Sequence, residues 1–164
     1  MPPVRHPVPT PDVVTPDMVT PDVATPDQMV SDFCARTPGA AFAVLLSAEG
    51  LVLCASDRLH PDDAERLAAL AGSLGALTRS AAEVYGGGWV NVTTVDMGGD
   101  HLCLMPVDDN ASLLFKADEH GEHGERGELS HVLYEAARTA DDLARALNDP
   151  MHTGRWRMFL GAAS

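Results

Sequence analysis

Lysine is almost absent from this sequence of 164 residues, in which Lys116 is the single example. Acidic residues outnumber lysine and arginine by 24 to 11, and the formal net charge is −13. Binding to a nucleic-acid backbone or to an anionic membrane depends on clustered lysine and arginine. The composition therefore predicts a protein that binds neither nucleic acid nor anionic lipid, and it permits a partner with a basic face.

Cysteine and long apolar runs are also scarce. The three cysteines, Cys34, Cys54 and Cys103, are far apart and form no C-x-x-C pair. An odd number in a domain of this size is typical of reduced thiols rather than of a disulfide framework. The opening residues MPPVRHPVPT lack the apolar core of a signal peptide, and no stretch reaches the roughly 20 apolar residues of a membrane span. We therefore expect a cytoplasmic protein without membrane insertion.

Proline, in contrast, is concentrated near the start, where eight of the twelve prolines precede residue 28. The same region repeats Thr-Pro-Asp four times at intervals of five residues. Closely spaced prolines remove backbone donors and favour extended conformations. We expect residues 1–25 to be a disordered leader, residues 26–147 to form one folded domain, and residues 148–164 to be a C-terminal tail.

Hydrophobic periodicity and turn residues predict eight elements in the domain. Helices are expected at 26–36, 61–84 and 128–147, and strands at 40–47, 51–56, 89–97, 101–107 and 112–117. The first helix begins at the last repeat, because Thr25, Pro26 and Gln28 form a capping-box pattern. Helix 61–84 is apolar on more than one side, so we expect two of its sides to be buried. Short turns on either side of one long helix indicate an α+β layered fold rather than a doubly wound sheet.

Three patterns resemble functional motifs, and each has a simpler structural explanation. The glycines at 86–88 follow a helix and precede a strand, which is the reverse of the order in a phosphate-binding loop. Residues 71–75, AGSLG, approach the G-x-S-x-G motif of hydrolases, but Ser73 lies within a helix, so close packing explains the small residues better. His120 and His123 lie in a glycine-rich acidic loop without a scaffold for a metal. We predict no catalytic residue, no cofactor and no metal site.

The succession of elements resembles the Roadblock, or dynein light chain, domain in its bacterial form. The resemblance covers residues 28–147 and rests on TPGAAFAVLLSAEGLVLCAS, an Ala/Leu-rich helix, SAAEVYGGGWVNVTTVDMGGDHLCLMPV, SLLFKA and a closing helix. It implies a profilin-like layer fold with a five-stranded antiparallel sheet, and a homodimer in which the third strands pair. An edge strand must be covered or paired, so the sequence supports part of this implication independently. The candidate interface residues are Leu70, Leu74, Leu77, Trp89, Asn91, Thr93 and Val95.

The resemblance also implies a function without chemistry of its own. Such a protein would bind a Ras-like small GTPase as a regulator of hydrolysis or exchange, or as an adaptor, in a signalling system with a sensor kinase. Two alternatives remain open. One is a profilin-like ligand or redox sensor, or a small enzyme, with a pocket lined by Cys54, His101 and Cys103. The other is a self-assembling scaffold without a GTPase.

The leader repeats and the tail HTGRWRMFLGAAS lie outside the family pattern, so the resemblance assigns them no role. The cluster from Arg155 to Phe159 is basic and aromatic in an otherwise acidic protein. It is interpreted either as a docking peptide for a partner or as a segment that folds back on its own domain.

Overall fold

The computed structural model describes residues 23–118 and 127–149. The elements follow the predicted order: α1 (Pro26–Arg36), β1 (Ala40–Ser47), β2 (Val52–Ala55), α2 (Pro61–Val84), β3 (Thr93–Asp96), β4 (Asp100–Pro106), β5 (Ala111–Asp118) and α3 (Leu129–Asn148). Nearly all of the predicted leader and tail lies outside the described residues. Within the described part, no helix is long and apolar enough to cross a membrane.

The five strands form one antiparallel sheet in the order β2-β1-β5-β4-β3. Two of the three inner strands, β1 and β5, are buried along most of their length. The continuous apolar sequence of β1 is explained by this position, because helices cover both faces of the sheet. The edges of the sheet are β2 and β3. The predicted α+β fold with a five-stranded antiparallel sheet is therefore confirmed.

The two faces of the sheet carry unequal layers. On one face α1 and α3 enclose the larger core, in which Phe33 and Phe115 meet edge to face with their ring centroids 5.7 Å apart. On the other face α2 covers a smaller core. The buried side chains that α3 contributes to the first layer recur at the three- and four-residue spacing predicted from the sequence: Val132, Ala136, Thr139, Ala140, Leu143, Ala146 and Leu147.

The third strand is shorter than the predicted segment 89–97, because only Thr93–Asp96 pairs with β4. The observed register places Thr93 opposite Leu104, and extending it by two residues would place Asn91 opposite Pro106. Proline has no backbone N–H to donate, so the ladder cannot continue there. Residues 89–92 consequently form part of a connection between α2 and β3.

The predicted capping box at the start of α1 is confirmed. The Gln28 backbone N–H donates to the Thr25 Oγ1 at 3.4 Å, and the Thr25 backbone N–H donates to the Gln28 Oε1 at 2.8 Å. Pro26 occupies the first helical position, where a missing N–H leaves no helical hydrogen bond unmade. Of the four Thr-Pro-Asp repeats, the last is thus the helix cap.

We expect Thr25→Ala to lower the free energy of unfolding by about 1 kcal/mol, because it leaves an N-terminal amide of α1 without its acceptor. Thr20→Ala, at the equivalent position of the preceding repeat, is the matched control and should have no effect. Deletion of residues 1–22 should likewise leave the melting temperature unchanged. Urea denaturation of the three variants checks this, and a large loss on deletion would show that the leader packs on the domain.

Candidate interaction surface

The α2 helix packs on the sheet through a stripe of small residues. Its buried positions are Ala64, Ala68, Ala71 and Gly75. At Gly72 the helix backbone passes so close to the β1–β2 turn that an added Cβ would lie 2.8 Å from the Cα of Gly50. The expectation that the small residues of segment 71–75 serve close packing is therefore confirmed.

Two leucines of α2 project from a different side of the helix. Leu70 and Leu77 are 68% and 69% exposed, and Val84 continues the same side at the helix end. At 3.6 residues per turn, these positions lie about 150° around the helix from the buried stripe, which is about two fifths of a turn. We expected two buried sides on this helix, but within the single chain only the alanine and glycine side is covered. The leucines remain exposed because the small residues already form the contact with the sheet.

The exposed apolar side of α2 continues along the chain into the connection and β3. Trp89 is 63% exposed and Val95 is 38% exposed. The Thr93 hydroxyl donates to the Thr78 Oγ1 at 3.3 Å, which ties the start of β3 to α2. We call the surface formed by the exposed side of α2, the connection and β3 the α2–β3 face. Its large exposed apolar residues are Leu70, Leu77, Val84, Tyr85, Trp89, Val92, Val95 and Met97.

The structure places all seven predicted interface residues on these three segments. Leu74 and Thr93 are half-buried, and Asn91 is exposed in the connection rather than in a strand. Sequence reasoning missed Val84, Tyr85, Val92 and Met97. The signal available for them was weak, because a single apolar residue beside a glycine-rich turn is not distinguished by periodicity.

A small groove of about 90 Å³ borders the α2–β3 face. Trp89, Val90 and Pro106 supply apolar walls, and Arg79 and Asp109 are among the polar residues that line it. The volume corresponds to one aliphatic side chain of a partner.

These features, a three-helix and five-strand layer fold with an uncovered edge strand beside an apolar helix, agree with a family model described as Roadblock/LC7 domain, which matches residues 26–117. The chain belongs to the Roadblock/LC7 family. A Roadblock/LC7 domain from Streptomyces avermitilis is similar at 30% identity, with a TM-score of 0.67 over 77% of this chain and 100% of that chain.

Two further solved structures share the fold of this Roadblock domain. Myxococcus xanthus MglB is 16% identical, with a TM-score of 0.64 over 73% of this chain and 92% of that chain. An MglB structure with a tetrameric arrangement is 24% identical, with a TM-score of 0.63 over 74% and 90% of the respective chains. Comparison with curated proteins gave no match.

The Roadblock fold does not form the pocket of Cys54, His101 and Cys103 that one alternative required. Cys54 lies on β2, whereas His101 and Cys103 lie on β4, and both β1 and β5 separate these strands. Three strand spacings amount to about 14 Å. The alternative of one shared pocket was wrong, because the order of strands in the sheet differs from their order in the chain.

The thiols of this domain are poor nucleophiles. Burial raises the pKa of Cys34 to about 11, although a hydrogen bond with Ser56 and the charge of Arg58 oppose the rise. Burial, assisted by the negative charge of Asp27, raises the pKa of Cys54 to about 12. Burial also raises the pKa of Cys103. Because the thiolate is the reactive form, the raised pKa lowers the reactivity of all three groups at neutral pH.

The other motif-like patterns have structural roles in this Roadblock domain. Ser73 is within α2, where its hydroxyl donates to the Ala69 carbonyl at 3.1 Å. Gly86 has a φ of +61° directly after α2, as expected for a glycine at a helix end. Within residues 23–118 and 127–149, no group of three or more His, Cys, Asp or Glu side chains is placed to hold a metal. His120 and His123 lie outside those ranges.

We expect Cys54 and Cys103 of the native domain to react with a thiol reagent at pH 8 only as fast as the protein unfolds, and Cys34, whose buried thiol is also protonated, to react slowly. The free energy of unfolding should also fall as the pH rises above 9.0, the ordinary thiol value, because the unfolded chain releases these protons before the folded chain does. Labelling followed by mass spectrometry, in native buffer and in urea, measures the first effect. A thiol that reacts rapidly in the native protein would contradict the account.

Proposed function

We propose that this Roadblock domain is a non-catalytic homodimer that binds a Ras-like small GTPase and acts as its regulator or adaptor. The observation that carries the proposal is the α2–β3 face. Monomeric proteins rarely expose contiguous apolar surface of this kind, and such patches mark sites of protein association. The unpaired edge of β3 lies in the same face, and unpaired strand edges are normally covered or paired.

Pairing with a second copy would cover the apolar surface of this face and would give the edge of β3 hydrogen-bond partners. In a two-fold dimer, β3 pairs antiparallel with its own copy, so the backbone groups at its outer edge gain partners. The same operation brings the apolar side of α2, including Leu70 and Leu77, towards the equivalent side of the second copy. A dimer of this kind removes from water the leucines that the sheet does not cover.

Family membership and the chemistry of the chain support a partner rather than a substrate. The likeness to Roadblock domains implies a small GTPase as that partner. The three thiols are protonated, and the Ser73 hydroxyl donates a hydrogen bond to a carbonyl of its own helix. A protein of this composition would act by positioning groups of the GTPase, in a cytoplasmic signalling system that includes a sensor kinase. Its negative charge suits a partner that presents a basic face.

A self-assembling scaffold is the second candidate. The observation that favours it is the groove at Trp89, which borders the α2–β3 face and offers a further contact to a neighbouring molecule. One MglB of the same fold has a tetrameric arrangement. A solution mass above that of the dimer, without binding to any small GTPase, would favour the scaffold.

We expect Leu70→Asp and Leu77→Asp each to raise the dimer dissociation constant at least a hundredfold. Burial of a leucine contributes about 1.5 to 3 kcal/mol, and two-fold symmetry makes each substitution act twice. Tyr134→Asp is the matched control, since Tyr134 is similarly exposed at 62% but lies on α3 in the other layer. Sedimentation equilibrium measures the constants. A monomeric native protein would contradict the dimer.

The proposed partner is tested with the Ras-like small GTPases of the organism that encodes this protein. We expect one of them to co-purify with the native protein and to change its rate of GTP hydrolysis or nucleotide exchange when the protein is added. The Leu77→Asp variant shows whether binding needs the dimer. Absence of binding and of any rate effect with every such GTPase would overturn the proposal.

A further inference from the structure

A second site lies at the end of the sheet where β1 begins and β5 ends, away from the segments of the α2–β3 face. There the C-terminal end of α1 borders a cavity of about 350 Å³. Pockets of roughly 300 Å³ and above hold small molecules. Its described walls include Cys34, Arg36, Thr37, Arg58 and Asp118, together with the backbone of residues 38–41.

Two arginines bring positive charge to this cavity in a strongly acidic protein. Arg36 is held in place by α3, because its Nη2 donates to the Thr139 Oγ1 at 2.9 Å and lies 3.9 Å from the Glu135 Oε2. Arg58 lies in the connection between β2 and α2, where it is exposed and lines the cavity. Its planar guanidinium fork matches a carboxylate or a phosphate.

Thr37 adds a polar group that the domain does not satisfy. The residue is 2% exposed, and its Oγ1 has no hydrogen-bond partner among the described residues. A buried hydroxyl without a partner costs about 1 to 3 kcal/mol. The cavity is the open volume beside this residue. A change of rotamer of the threonine side chain would let a ligand in the cavity supply the missing partner.

We propose that this cavity binds a small molecule that carries one carboxylate or phosphate group. Arg58 is the principal anchor, Arg36 is a second anchor positioned by α3, and the Thr37 hydroxyl is a hydrogen-bonding partner. A single anionic group is favoured over a polyphosphate, because Glu135 offsets part of the charge of Arg36 and Asp118 adds a carboxylate to the wall. The protonated Cys34 thiol contributes an apolar surface. This site does not depend on the proposed GTPase partner.

The test uses the full chain labelled with ¹⁵N and titrated with inorganic phosphate, acetate and glycerol 3-phosphate, each compared with chloride at equal ionic strength. We expect saturable shifts of the Arg58 side-chain signal and of the amides of residues 34–41 with at least one of the three anions. Tighter binding of the two phosphates than of acetate identifies the anionic group of the ligand as a phosphate, and the reverse order identifies it as a carboxylate. Shifts that grow linearly, or that chloride reproduces, would overturn the proposal.

Variants separate a ligand site from a structural feature. Arg58→Gln should weaken binding about tenfold or more, whereas Arg66→Gln, an exposed arginine on α2, should leave it unchanged. Thr37→Val should weaken binding without lowering the melting temperature of the ligand-free protein, and Thr37→Ser should restore it. Undiminished binding by Arg58→Gln would contradict the assignment. A much lower melting temperature of the ligand-free Thr37→Val variant would also contradict the assignment, because it would show that the hydroxyl stabilises the fold.

Discussion

The α2 helix lies close against the sheet because alanine and glycine form its contact, with the backbones at Gly72 and Gly50 almost touching. A larger side chain in that stripe would lift the helix and open the smaller core. The consequence of this close contact is that Leu70 and Leu77, on the far side of the helix, do not reach the sheet. They project beside β3 and form, with the connection, the apolar face on which the proposed dimer depends.

The opposite layer has a different character. Phe33, Phe115 and the apolar side of α3 fill the space between the helices and the sheet, so this layer completes its own core. The cysteines lie within the domain as small apolar side chains, and burial keeps them protonated. The larger core thus lies in the α1 and α3 layer, whereas the proposed association uses the α2–β3 face. This division suits a protein that works by contact with other proteins.

Local signals in the sequence predicted much of the fold. The bounds of α1 and α2 followed from the residues that cap them, and the element order followed from turns and periodicity. The extent of β3 could not be predicted from local signals, because it depends on the register with β4, which places Asn91 opposite Pro106. The idea of a pocket shared by Cys54 and Cys103 failed for a similar reason, because the order of strands in a sheet does not follow from their order in the sequence. The sequence also showed that α2 is apolar on two sides, but only the three-dimensional contact at Gly72 shows which side is buried.

The central claim is that the outer edge of β3 is paired with a second copy of this chain in solution. Amide hydrogen exchange of Thr93–Asp96, measured at protein concentrations well below and well above the dimer dissociation constant, tests it most directly. The account predicts that the outward-pointing amides of β3 exchange slowly at high concentration and rapidly at low concentration, while β1 and β5 stay protected at both. Rapid exchange along the outer edge of β3 at every concentration would contradict it.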